Sequence, residues 1–115
     1  MLHLLTIAGQ VADVSVDIKR KAFVGAVAIR RDGTMVVSRN GSTPWPNGKS
    51  PSCHSEARVL RKSGYGATVY VARVKRNGDF GLAKPCFSCM PALKAMGVEM
   101  VYWTVNNIEW EACRP

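Results

Sequence analysis

Residues 67–75 (ATVYVARVK) and 98–105 (VEMVYWTV) are two runs rich in β-branched and aromatic side chains, with one helical stretch between them. Each run reads as a strand. The helical stretch covers residues 88–96 and stops at Gly97, a residue suited to the left-handed cap that ends many helices. Successive strands joined through a helix favour parallel pairing by a right-handed crossover. That restriction leaves few architectures open.

The upstream half adds a hairpin. Residues 23–30 (FVGAVAIR) read as a strand, Asp32 and Gly33 supply turn chemistry, and residues 34–39 (TMVVSR) return as the antiparallel partner. Residues 54–63 read as a short helix, with Ala57 and Leu60 on one side and Gly64 placed to end it. Residues 10–21 are weakly periodic, with Val11, Val14 and Ile18 at helical spacing, and read as a first helix. Residues 76–84, containing Asn77 and Gly78, read as a loop, and residues 106–115 leave room for one turn of helix or a short tail. The order predicts an α/β domain, a mixed sheet of four to five strands with helices packed on it. A chain of 115 residues fits one domain. Its parts are an N-terminal segment (1–22), a core (23–105) and a C-terminal tail (106–115).

Sixteen Lys and Arg against eight Asp and Glu give a net charge of +8. Such an excess concentrates anions, phosphates above all, around the molecule. The bases are scattered in short groups, which a solvated surface largely explains. No run has the apolar length to span a bilayer, and residues 1–9 lack the basic start and cleavage site of a signal peptide. The expected setting is the cytoplasm, with no membrane partner. A core this small gains from a bound metal or from a second copy of the chain, so a homo-oligomer is among the expected states.

Two short motifs carry the chemistry: His54-Ser55-Glu56, and Pro85-Cys86-Phe87-Ser88-Cys89. Zinc takes imidazole nitrogen and thiolate sulfur, and a catalytic zinc keeps three protein ligands with a fourth position open. His54, Cys86 and Cys89 supply that set. Cys86 and Cys89 stand three residues apart, so around a helix start they point the same way. There the helix terminus favours thiolate over thiol. If Ser88 caps the helix, Pro91 takes its third position, where a missing N–H costs nothing. Glu56 is the candidate proton carrier, taking a proton from water, passing it to a ring nitrogen and then protonating a departing amine. Two other readings stand beside this one. Cys86 and Cys89 also suit a redox pair, which leaves His54 and Glu56 without a task. A structural metal could add Cys53 as fourth ligand, though neighbouring residues rarely both reach one ion.

H-x-E followed by P-C-x-x-C is the signature of the zinc-dependent cytidine and deoxycytidylate deaminase superfamily, which this chain resembles over residues 23–105. The likeness is closest at residues 53–64 (CHSEARVLRKSG) and 83–104 (AKPCFSCMPALKAMGVEMVYWT). The resemblance implies a three-layer sandwich and one catalytic zinc per chain on His54, Cys86 and Cys89. It also implies Glu56 as acid and base, and hydrolytic loss of ammonia from a cytosine base. It extends to Asn40, which resembles the family asparagine that contacts the substrate sugar; the alternative is a plain Asn40-Gly41 turn. Trp45, in a long loop with three prolines, either stacks on the base or anchors the loop. Phe87 is placed to line a pocket floor, and Lys84 to meet a phosphate or simply to be solvated. Ser55 stands where many relatives have alanine. The family sheet usually has five strands, and only four are legible here. The expected substrate is a free cytosine nucleoside or nucleotide, the alternative being cytosine or adenine in single-stranded DNA or RNA.

Overall fold

The computed structural model describes residues 2–12, 22–39, 64–75, 77–84 and 89–115. At its centre β3 (Thr68–Lys75) and β5 (Met100–Thr104) run parallel, registered from Thr68 opposite Met100 to Val71 opposite Trp103. α2 (Cys89–Ala95) crosses between them, as the spacing of the two apolar runs requires. On the other side of β3 lies β1 (Ala22–Ile29), antiparallel to it and to β2 (Met35–Arg39). The sheet order is β2-β1-β3-β5-β6, with the short β4 (Phe80–Gly81) paired to β3.

The expected hairpin forms as its turn residues dictate. The Gly33 amide donates to the Arg30 carbonyl at 2.9 Å, and the Arg30 amide donates to the Thr34 carbonyl at 2.8 Å. Gly33 takes a φ of 91°, which closes the turn without a side-chain clash. The Asp32 carboxylate accepts from the hydroxyl and the amide of Thr34, and these bonds hold its pKa below the usual value.

Alternation along the strands divides the core into two layers. Ala26, Ala28, Val69, Val71, Val101 and Trp103 face α2, where Leu93 is fully buried among them. Val27 and Ala72 face the opposite way and pack under α1 (His3–Val11) through Ala8. Helices on both faces of a mixed sheet make the α/β sandwich the sequence predicted. Beyond α1, Tyr70 and Tyr102 stack face to face, with centroids 4.8 Å apart and planes 8° from parallel. Trp110 tilts against Tyr102.

Three elements differ from the sequence reading. The first helix covers His3–Val11, not residues 10–21, of which 13–21 lie outside the described residues. Leu4, Ile7, Ala8 and Val11 follow helical spacing, and His3, Thr6 and Gln10 share one polar stripe on the solvent side, a period that begins ahead of the stretch read as the first helix. α1 has no side-chain N-cap and no acidic residue in its first turn, so packing on the sheet holds it. Residues 76–84, expected as a loop, contain β4. The expected tail contains β6 (Trp110–Cys113), antiparallel to β5. β6 supplies the strand that the sequence left unread.

Candidate active site

β2 and β3 both run antiparallel to β1, and β5 runs parallel to β3, so the carboxyl ends of β2, β3 and β5 share one edge of the sheet. The chain segments that lead on to both motifs leave from that edge. The chain departs from β2 at Arg39 towards His54 and Glu56, and it departs from residues 81–84 towards Cys86. In open α/β sheets the strand carboxyl ends are where ligands bind.

The second departure point is built in detail. β5 uses only the first half of one side of β3, through Val71 opposite Trp103. β4 takes the second half, with Arg73 opposite Gly81 and Val74 opposite Phe80. The parallel strands are thus forked, and the limb after β4 lies in the fork. Thr104, fully buried, joins all three segments. Its hydroxyl donates to the Gly81 carbonyl at 2.7 Å and accepts from the Arg73 amide at 3.2 Å. Its carbonyl accepts from the Ala83 amide at 2.9 Å. Outside the fork, Asn107 in the β5–β6 turn accepts from the Phe80 amide at 2.7 Å and donates to the Asp79 carboxylate at 3.0 Å.

Ala83 is buried against the α2-side core, and Lys84 emerges exposed just before Pro85. α2 begins at Cys89, so Pro91 is its third residue, as expected if Ser88 is the cap. Its end is fixed from the other side. The Val98 amide donates to the Leu93 carbonyl and the Gly97 amide to that of Lys94, with Gly97 at φ 70°. This double bond pattern around a left-handed glycine is the Schellman cap. The Glu99 amide then reaches the Ala67 carbonyl at 2.9 Å, which seats β5 beside the start of β3.

Of the residues singled out in the sequence, Lys84 is described in full and Cys89 as the first residue of α2. Asn40, Trp45, His54, Ser55, Glu56, Cys86 and Phe87 lie outside the described residues. Among the described residues, no three His, Cys, Asp or Glu side chains form a metal-holding group. Trp103, 4% exposed, lies on the α2 face, and its indole N–H finds no acceptor among the described residues. At the fork, the aliphatic stems of Arg73 and Lys75 lie over Gly81, and both residues are exposed. Thr104 and Asn107 drew no notice in the sequence reading. A threonine closing an otherwise apolar strand was the available signal.

No family model matches the sequence, and no curated protein does. Solved structures do match the fold. The crystal structure of cytidine deaminase from Mycobacterium leprae aligns with 95% of this chain and 89% of its own length, at 18% identity and a TM-score of 0.59. That of cytidine deaminase from Mycobacterium tuberculosis aligns with 88% of this chain and 80% of its own, at 21% identity and a TM-score of 0.57. The chain has the cytidine-deaminase fold.

Proposed function

We propose that this protein is a zinc-dependent hydrolytic deaminase acting on the cytosine base of a free nucleoside or nucleotide. One observation carries the reading: in a cytidine-deaminase fold, the segments bearing H-x-E and P-C-x-x-C both depart from the carboxyl edge of one sheet.

The donor set suits the metal. One imidazole and two thiolates are ligands that zinc favours, and three protein ligands leave a coordination position open. His54, Cys86 and Cys89 would hold the ion, one per chain. Zinc, when bound, supplies the Lewis acidity that makes water a nucleophile near neutral pH. Glu56 takes a proton from that water and hands it to the ring nitrogen beside the amino-bearing carbon. It takes the second proton as the carbonyl forms and delivers it to the departing amine. The net exchange is one water consumed and one ammonia released, with Glu56 restored. Asn40 would hold the sugar, Trp45 and Phe87 would bound the base, Ser55 would stand beside the reacting group, and Lys84 would meet a phosphate. A cytoplasmic setting and self-association belong to the same reading; among the described residues, no helix is long and apolar enough to cross a membrane.

A second reading, deamination of cytosine or adenine within single-stranded DNA or RNA, has one observation in its favour. Arg73, Lys75 and Lys84 stand exposed along the fork in a chain of net charge +8, a setting that attracts a phosphate backbone.

The test is ammonia release from a substrate panel: cytidine, deoxycytidine, their monophosphates, adenosine, guanine and a single-stranded oligonucleotide. Release from a free cytosine compound supports the first reading. Release from the oligonucleotide alone, suppressed by salt, replaces it with the second. No release from any substrate by zinc-loaded protein overturns both.

A further inference from the structure

We infer that Thr104 and Asn107 are positioning residues for the cysteine half of the metal site, acting through the limb that precedes Pro85. The inference rests on the proposed function above and adds two residues that neither motif contains.

The limb has little of its own to hold it. β4 is two residues long and pairs with β3 alone. Residues 82–84, which follow it, belong to no strand. Position is instead imposed from β5 and the turn that follows it. Thr104 engages the limb twice, through its hydroxyl on the Gly81 carbonyl and its own carbonyl on the Ala83 amide. Its hydroxyl also accepts from the Arg73 amide, so the same oxygen is anchored to β3. Asn107 engages the hairpin at Asp79 and Phe80. These bonds span more than twenty residues of sequence, so local chain preference does not produce them.

The consequence follows from chain connectivity. Cys86 stands three residues after Ala83, and Cys89 begins the helix that Leu93 seats on the sheet. Anchoring residue 83 from one side and residue 93 from the other fixes both ends of the segment that carries the two thiolates. Groups that orient metal ligands from outside the coordination shell typically change metal affinity by about 10–100-fold when removed. A buried oxygen that is both donor and acceptor is suited to that task. Valine has the same shape and lacks both functions.

The experiment measures zinc affinity by competition with a chromogenic chelator, at a temperature where each variant is folded by circular dichroism. It compares wild type with Thr104→Val, Thr104→Ser and Asn107→Ala. Thr104→Val should weaken zinc about tenfold, and Thr104→Ser, which keeps the hydroxyl, should restore affinity to within about twofold. In the zinc-free protein, the thiols of Thr104→Val should also react faster with a disulfide reagent than those of wild type. A folded Thr104→Val with wild-type affinity and thiol reactivity overturns the inference, whatever its melting temperature. Should Thr104→Val not fold, Asn107→Ala decides from the exposed side: a severalfold loss of affinity supports the inference, and an unchanged affinity overturns it. A wild-type chain that takes up no zinc overturns the proposed function, and this inference with it.

Discussion

Gly25 on β1 and Ala8 on α1 meet backbone to backbone: a Cβ on Gly25 would collide with the Ala8 carbonyl oxygen and lie 2.7 Å from the Ala12 amide nitrogen. Neither obstacle is a flexible side-chain end, so the helix must lift for any larger residue to fit. Gly25→Ala should therefore cost about 3 kcal/mol by overpacking. Urea denaturation measures it, and a loss below about 0.5 kcal/mol would show that α1 is free to shift.

A second glycine is constrained differently. Gly97 combines a φ of 70° with a ring, Tyr65, packed where a side chain would go. Gly97→Ala should cost about 1–2 kcal/mol, because an L-residue in the left-handed region carries that penalty while the exposed Tyr65 ring can swing away. Tyr65→Ala alone, by contrast, should change little. If thermal melting shows the reverse ranking, ring packing and not the helix cap dominates this corner.

Burial raises the Tyr70 hydroxyl above the usual tyrosine range, and the neighbouring Tyr102 adds to the rise. The folded chain therefore resists forming the Tyr70 phenolate more than the unfolded chain does. This contribution to stability is present in full below about pH 10, the unfolded value, and is lost as pH rises from there through the raised folded value. Denaturation midpoints of wild type should fall more steeply above pH 10 than those of Tyr70→Phe. Parallel curves would remove Tyr70 from the alkaline transition.

Glu56→Ala should abolish ammonia release while the protein keeps its zinc, since the carboxyl moves protons and is no ligand. Metal content by atomic absorption, read beside turnover, separates the two roles. Turnover that survives would move the acid–base task to another residue. Cys86→Ala and Cys89→Ala should instead lose metal and lower the melting temperature, because metal binding and folding are coupled in small domains.

The sequence exposed the parts of this fold that depend on local chemistry. Asp32 and Gly33 marked a turn, Gly97 marked a helix end, and the β-branched runs around α2 marked a parallel pair; all three stand in the structure. What escaped notice depends on partners distant in sequence. Phe80 and Gly81 become a strand only because Arg73 and Val74 offer an open side. Trp110–Cys113, with one aromatic and no β-branched residue, becomes a strand by lying along β5. α1 escaped because it has no side-chain N-cap and no acidic first turn to announce its start, although His3, Thr6 and Gln10 leave one polar stripe along it. At the candidate site the residue types and their spacing were legible. The Thr104 clasp was not, since a lone threonine in an apolar strand has many ordinary explanations.

The fork also gives β3 one amide unlike its neighbours. Arg73 rests its N–H on a side-chain oxygen, whereas strand amides in a ladder rest on carbonyls. In deuterium exchange, that proton can leave whenever the hydroxyl of Thr104 rotates or the limb lifts, without the sheet coming apart. Its exchange rate therefore reads the breathing of the limb, while amides deeper in β3 wait for the whole domain to open. A single backbone position thus serves as a built-in gauge of how firmly the candidate site is held.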